Sequence, residues 1–392
     1  MQHSILETEI QLFINQNLEV PITKLALQKN PFPTIAWLTI LGQIEAKAKA
    51  KDKLPTWFKT NDIIYPTKLS IEQTSSEKTA YYKSTLIAGD SLIDLTGGFG
   101  VDDYYFSQKI KKVAHCEINT ELSTIVKHNF KQLKINNIEC YPGDSTTTLD
   151  SITNKWDWIY IDPSRRNDAK GKVFMLKDCL PNVPDNLDFY FQKTKSILIK
   201  TAPLLDLAAG ISELKNVKNV HIIALDNEVK ELLWELHAGY NDSIIIKTVN
   251  LLKDKIDSFQ FTYNNNTINI NYSLPLRYLY EPNSAIMKSG GFDQVAHLYT
   301  ISKLHKHSHL YTSPECIDFP GRTFEIIKNI PYNKANMKSF LLNAKANITT
   351  RNFSETVENI RKKWKIKEGG NQYCFFTTDQ NNNKIVLICT KI

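Results

Sequence analysis

The stretch Leu92–Phe106, "LIDLTGGFGVDDYYF", decides the fold. An apolar run ends in Asp94, glycines stand at 97, 98 and 100, and a segment with helical spacing follows. A buried strand running through a glycine turn into a helix is how a βαβ unit opens. Glycines permit a backbone path closed to other residues and let a ligand lie against the main chain.

The chain beyond this turn keeps the same alternation. "KVAHCEI", "IECYPGD", "WDWIYIDP", "SILIKTAP" and "NVHIIAL" are short apolar runs, the third and fourth of them stopped by Pro163 and Pro203. "VDDYYFSQKI" and "LSTIVKHNFKQL" have the spacing of helices between them. Apolar strands alternating with helices predict a Rossmann-like α/β fold, a parallel sheet covered on both faces. Glu228 and Glu231, after the sixth strand, are expected on a helix. Residues 1 to about 70 are expected to be helical, with "KAKAKDK" a solvated helix end. After about residue 250 the pattern becomes α+β. "SFQFTYNNNTINI" predicts a hairpin around Asn264–Asn266, and "YCFFTTDQNNNKIVLICTKI" another. "NMKSFLLNAKAN" and "NFSETVENIRKKW" predict helices between them.

A chain of 392 residues favours two or three domains, and 42% hydrophobic against 23% charged residues permits ordinary cores. The 6 cysteines are scattered, with no C-x-x-C pair, which argues against a zinc site and a secreted disulfide framework. The N-terminus lacks a basic flank before an apolar run, and no apolar stretch reaches the roughly 18 residues of a membrane span. A soluble, intracellular, cytoplasmic protein is expected, without a membrane partner. The charge is concentrated at one end. Residues Ile326–Ile392 hold 12 Lys and Arg against 4 Asp and Glu, a net +8, whereas the whole chain carries +7. Such asymmetry points to a polyanion, nucleic acid first.

Three ligand classes compete for the glycine turn. A phosphate loop needs Gly-Lys-Ser/Thr, and here Gly100-Val101-Asp102-Asp103 places two acids at the helix start, where they would repel a triphosphate. A dinucleotide turn needs G-x-G-x-x-G, and the third glycine position is Asp103, which disfavours NAD without excluding it. S-adenosylmethionine (SAM) carries no phosphate and is cationic. Asp94 can face its amino group while Gly98 and Gly100 admit the nucleoside. Glu117 ends the next strand, where an acid accepts from ribose hydroxyls. Asp144, followed by Ser145, ends the third and can accept from an adenine amino group. Alone, each acid is an ordinary helix cap, but three stand at successive strand ends.

On "SSEKTAYYK…LIDLTGGFGVD…CEIN…GDS…YIDPSRR", the core from about Ser75 to Leu236 resembles class I SAM-dependent methyltransferases. It looks like a branch of RNA methyltransferases with a C-terminal THUMP-like domain. The resemblance implies SAM contacts from Asp94, Gly98, Gly100, Glu117 and Asp144, with Ser75–Lys83 helping to cover the cofactor. It implies an N-terminal helical region (1–74), a SAM-dependent methyltransferase domain (75–250), a small ferredoxin-like linking region (251–325) and a basic THUMP-like domain (326–392). The expected partner is structured RNA, such as rRNA or tRNA.

Methyl transfer is an in-line displacement governed by positioning. Asp162, ending the fourth strand, would lie beside the sulfonium and hold an amino or ring N–H. In amino-methyltransferases the matching segment is usually Asp/Asn-Pro-Pro-aromatic; here Ser164 and Arg165 replace the second proline and the aromatic, so the target atom is open. Arg165 and Arg166 are candidates for gripping phosphate or stacking on a base, or for pairing with acids such as Asp168. Lys200, ending "ILIK", faces the ligand crevice, either to orient Asp162 or to meet phosphate. Pyrimidine C5 chemistry would need a cysteine nucleophile; Cys179, the nearest, is expected to pack instead. His305, His307 and His309 alternate, and a half-exposed strand face is favoured over a metal site. In "ENIRKKWKIK", Arg361, Lys362 and Lys363 flank Trp364, which serves RNA contact or the domain core. An RNA methyltransferase acting at a base nitrogen is favoured over a non-catalytic RNA-binding protein with a retained SAM site, and over a small-molecule or DNA methyltransferase.

Overall fold

In a computed structural model, residues 4–153, 155–165, 175–264 and 268–392 are described. The chain divides into two compact units. The first runs to Asn219 and resumes over Leu232–Asp242; the second comprises Val220–Glu231 and Ser243–Ile392.

The first unit is built on the strands β1 (Ser91–Asp94), β2 (Lys112–Glu117), β3 (Ile138–Pro142), β4 (Trp156–Ile161) and β5 (Thr194–Thr201). A hairpin follows, β6 (Val217–Leu225) and β7 (Glu228–His237), whose tip falls in the second unit. The strand order is 3-2-1-4-5-7-6. β1 pairs in parallel with β2 and β4, β2 with β3, and β4 with β5. Leu92, Ile93, Ile159, Ile161 and Ile197–Ile199 are fully buried, as a sheet covered on both faces requires.

β7 runs antiparallel to β5, with Ser196 opposite His237. Glu228 and Glu231 therefore lie on a strand, not on the expected helix. The cause is the two-residue turn Asp226-Asn227, both at positive φ (49° and 66°), which reverses the chain within a hairpin.

The N-terminal helices share a core with the glycine turn. The Trp57 ring stands 4.9 Å from Tyr104 and 6.2 Å from Phe99. The buried Asn129 side chain binds both backbone groups of Ile64, at 3.0 and 2.8 Å. Within "KAKAKDK", Lys47 and Ala50 are buried, while Lys49, Lys51 and Asp52 are exposed at the end of the helix Trp37–Lys53. No described helix is long and apolar enough to cross a membrane.

In the second unit, strands Ile245–Leu251 and Ile256–Thr262 form a hairpin that reverses at Leu252–Lys255. The reversal expected at Asn264–Asn266 falls on residues 265–267, which lie outside those described. A seven-stranded, mainly antiparallel sheet follows. The predicted C-terminal hairpin forms its strands Gln372–Thr378 and Lys384–Lys391. Helices Lys334–Phe340 and Val357–Trp364 contribute Met337, Ile360 and Trp364 to a core with Phe376 and Val386. Trp364 is therefore part of the domain core. The three alternating histidines do not share an extended strand. His309 adopts a left-handed φ of 52° and stacks 3.6 Å over Phe292, while His305 meets Asn352 and Asn382.

Candidate functional site at the strand ends

The four glycines at the ends of β1 and β3 differ in what they face. A Cβ on Gly97 would stand 2.2 Å from the His115 ring, and one on Gly100 would stand 2.5 Å from Phe130. These two glycines make room for packing. Gly98 (φ 54°) and Gly143 (φ 114°) have no close neighbour at the Cβ position, so a bound molecule could lie against their backbone. Gly100 also caps the following helix with φ 74°. Gly100→Ala combines overpacking with left-handed strain, and is expected to cost about 2–4 kcal/mol in urea unfolding. A loss under about 0.5 kcal/mol would mean that the helix start yields freely.

Each sequence-predicted acid occupies a strand end. Asp94, almost fully buried, accepts from the Thr96 backbone N–H (2.7 Å) and hydroxyl (3.0 Å). The same Thr96 hydroxyl accepts from the Asp162 backbone N–H at 2.6 Å, strapping the end of β1 to that of β4. Glu117 accepts from the backbone N–H of Gly98 (2.9 Å) and of Asn119 (2.7 Å), so its carboxylate shapes the glycine turn. Asp144 caps the helix Ser145–Ser151 through the Thr147 N–H at 2.8 Å. The Asp162 carboxylate pairs with Lys200 from β5.

Asp102 and Asp103 turn inward, away from any ligand in the turn. Asp102 accepts from Ser75 (2.9 Å) and Tyr160 (2.8 Å), and pairs with Lys83 at 3.1 Å. Lys83 has no exposed side-chain surface and also donates to Ser75 at 2.9 Å. Burial opposes ionisation of Asp102, but Lys83, Lys200, Tyr160 and Ser75 outweigh it, leaving its pKa below the ordinary value. Asp103 meets His115 Nδ1 at 2.6 Å with both side chains fully buried. Burial first, and Asp102 second, push the Asp103 carboxyl well up, while burial pushes His115 down. Burial and then Asp103 also raise Asp94 well above the carboxylate range. The repulsion expected between these two acids and a phosphate is therefore not their role.

Sequence reasoning missed Thr96 and Tyr160, and it assigned Ser75–Lys83 to covering the cofactor without foreseeing that Ser75 and Lys83 engage Asp102. One signal was available: His115 and Lys83 are polar residues at positions that the strand and helix patterns bury. Of the predicted substrate residues, Ser164–Arg165 pairs antiparallel with Cys179–Leu180. Arg166 and the Arg165 side chain lie outside what is described. Cys179 is buried. In the second unit, Arg361, Lys362 and Lys363 form the last turn of Val357–Trp364, with Lys363 tied to Glu355 at 3.1 Å.

Residues 278–320 match a ferredoxin-like domain and residues 321–391 a THUMP domain-like family. No curated protein sequence matches the chain. The crystal structure of a Porphyromonas gingivalis W83 protein assigned as a methyltransferase is similar at a TM-score of 0.89 and 31% identity, covering 99% of this chain and 98% of that one. M. capricolum TrmK, solved with S-adenosyl-homocysteine, aligns over 42% of this chain and 70% of its own at 18% identity and a TM-score of 0.33. An rRNA methylase from Streptococcus thermophilus aligns over 41% and 94% at 13% identity and 0.30. The near-complete overlap with the Porphyromonas gingivalis protein places the chain in that protein's family, class I methyltransferase folds ending in a THUMP-like domain.

Proposed function

We propose that the protein is a SAM-dependent methyltransferase acting on RNA at a base nitrogen. The observation that carries this is the gathering of Asp94, Gly98, Glu117, Asp144 and Asp162 at one edge of the parallel sheet, where ligands of open α/β folds bind. The open backbone at Gly98 and Gly143 fits a nucleoside, and the acids suit a cation. Glu117 and Asp144 keep acceptor capacity beyond their backbone bonds, for ribose hydroxyls and an adenine amino group, the latter beside Ser145.

SAM, when bound, supplies an electrophilic methyl group on a sulfonium. Asp162 would accept the target N–H, so that the nitrogen's lone pair faces the methyl in line, and accommodate the positive charge that develops on that nitrogen. Lys200 pairs with that carboxylate and holds it oriented. Thr96 fixes its backbone against the glycine turn. Arg165 and Arg166, following Asp162 in the chain, are assigned to substrate phosphate or a base face. Arg361, Lys362 and Lys363 are assigned to RNA delivery, supported by the net +8 of the C-terminal segment.

Calorimetry should detect SAM binding by the parent, and Glu117→Ala should weaken it about tenfold or more through loss of charge-assisted hydrogen bonds. Labelled methyl from SAM should then appear in total RNA rather than in DNA or small molecules. SAM binding without transfer would leave a non-catalytic RNA-binding protein; label confined to DNA or metabolites would overturn the RNA assignment.

A further inference from the structure

Two ion pairs meet on one face of the first sheet. Tyr160 stands opposite Asp94 on β1 and opposite Leu198 on β5. Side chains two apart along a strand share a face, so Tyr160 and Asp162 rise from β4 on the side where Leu198 and Lys200 rise from β5. On that side the Tyr160 hydroxyl donates to Asp102 at 2.8 Å, and Lys200 pairs with Asp162. Lys83, Asp102, Lys200 and Asp162 alternate in charge. Their side chains run from core to surface, at 0%, 12%, 12% and 35% exposed.

We propose that Asp102 is a positioning residue for methyl transfer: its carboxylate shares the Lys200 ammonium with Asp162, leaving Asp162 better able to accept the target N–H. The inference rests on the methyltransferase reading above and adds a group, remote from the reacting atoms, that sets how the acid beside them works.

A lysine carries one charge and three donors. With Asp162 as its sole counter-charge, Lys200 would quench the carboxylate that the developing cation needs. A second carboxylate draws part of the ammonium's charge away. Burial opposes ionisation of Asp102, and Lys83 first and Lys200 second overcome it. Ser75 at 2.9 Å and the Tyr160 hydroxyl hold this carboxylate in place. The same face carries other titratable groups. Asp94 on β1 and Asp103 beside Asp102 are both pushed well up, by burial first, and so offer less charge. His115 on β2 is pushed down by burial. On β7, Leu233 stands opposite Lys200, and Glu231 and Glu235 flank Leu233 at two residues to either side. Glu235 is engaged by Asn219 at 2.6 Å and His237 at 2.7 Å.

The test is labelled methyl transfer from SAM to total RNA by the full chain, across RNA concentration and pH, with SAM affinity by calorimetry as the check on the fold. Asp102→Asn should lower kcat about tenfold while KM for RNA and SAM affinity stay unchanged. Loss of a nearby negative charge weakens proton binding by Lys200 and Asp162 alike, so both limbs of the kcat profile should move to lower pH by about half a unit or more. A merely structural acid would lower the height of the profile and leave its limbs in place. Asp102→Glu, which keeps the charge, should keep the parental limbs. Should Asp102→Asn fail to fold, Lys83→Met/Asp102→Asn removes both buried charges and strands neither. That double variant should bind SAM and still show the lowered kcat. Unmoved limbs in Asp102→Asn, limbs moved equally by Asp102→Glu, or parental kcat in the double variant would overturn the role of Asp102 alone. A parent that transfers no methyl would sink the methyltransferase reading, and the positioning role with it.

Discussion

Asp162→Asn is expected to lower labelled methyl transfer by about 10²–10³-fold in kcat while leaving the fold intact. The substitution is nearly isosteric, and the strap to Thr96 runs through the Asp162 backbone N–H, which the variant keeps. What is lost is the carboxylate charge that Lys200 orients and that the developing cation on the target nitrogen needs. The effect should fall on kcat rather than on KM for RNA, because the interaction strengthens as charge develops. Single-turnover transfer with saturating RNA reads it directly. A variant with near-parental kcat would remove Asp162 from the chemistry and leave it a structural acid at the end of β4.

Lys83→Ala is expected to cost about 3–5 kcal/mol of stability, the usual result of stripping one partner from a buried ion pair. Lys83 is wholly buried, and without it Asp102 would keep the hydroxyls of Ser75 and Tyr160 and the field of Lys200 for its charge. Urea unfolding of Lys83→Ala, Asp102→Asn and the double variant closes a cycle. The double variant should be more stable than the sum of the single losses predicts, because no charge is stranded in it. Additive losses would mean that the two groups do not interact in solution. Because Tyr160 belongs to β4 and Lys83 to the helix Glu77–Ser84, this pair fastens the segment before β1 to the strand that carries Asp162.

The sheet was legible because its strands are nearly continuous apolar runs, each stopped by an acid, a glycine or a proline. The acids at the strand ends were legible because a chain pattern marks where a strand stops. What escaped was set by partners distant in sequence. Asp102 and Asp103 look like surface acids at a helix start, yet the groups that bury them come from Tyr160, Lys83 and His115. β7 was missed because its direction depends on a two-residue turn, Asp226-Asn227, whose left-handed backbone outweighed the helical look of the residues after it. The hairpin that reverses at "LKDK" went unread because those residues are a weak turn signal beside the run of asparagines that follows. Trp364 sits among five basic residues, and only the packing of Ile360 and Met337 reveals that its ring belongs inside.

The raised pKa of Asp94 in the free protein has a thermodynamic consequence. A cation arriving beside that carboxyl would favour its ionised form and draw its pKa down, so binding at the proposed SAM site would release a proton over the pH range where the raised carboxyl is protonated. The sign follows from linkage: affinity rises with pH until the medium passes the raised pKa of the free protein, then levels off. Stability of the free protein moves the other way, falling over the span from the ordinary carboxylate value up to the raised one. On the proposed function, the glycine turn would couple the filling of its pocket to proton release, and the loaded protein would tolerate alkaline conditions better than the free one.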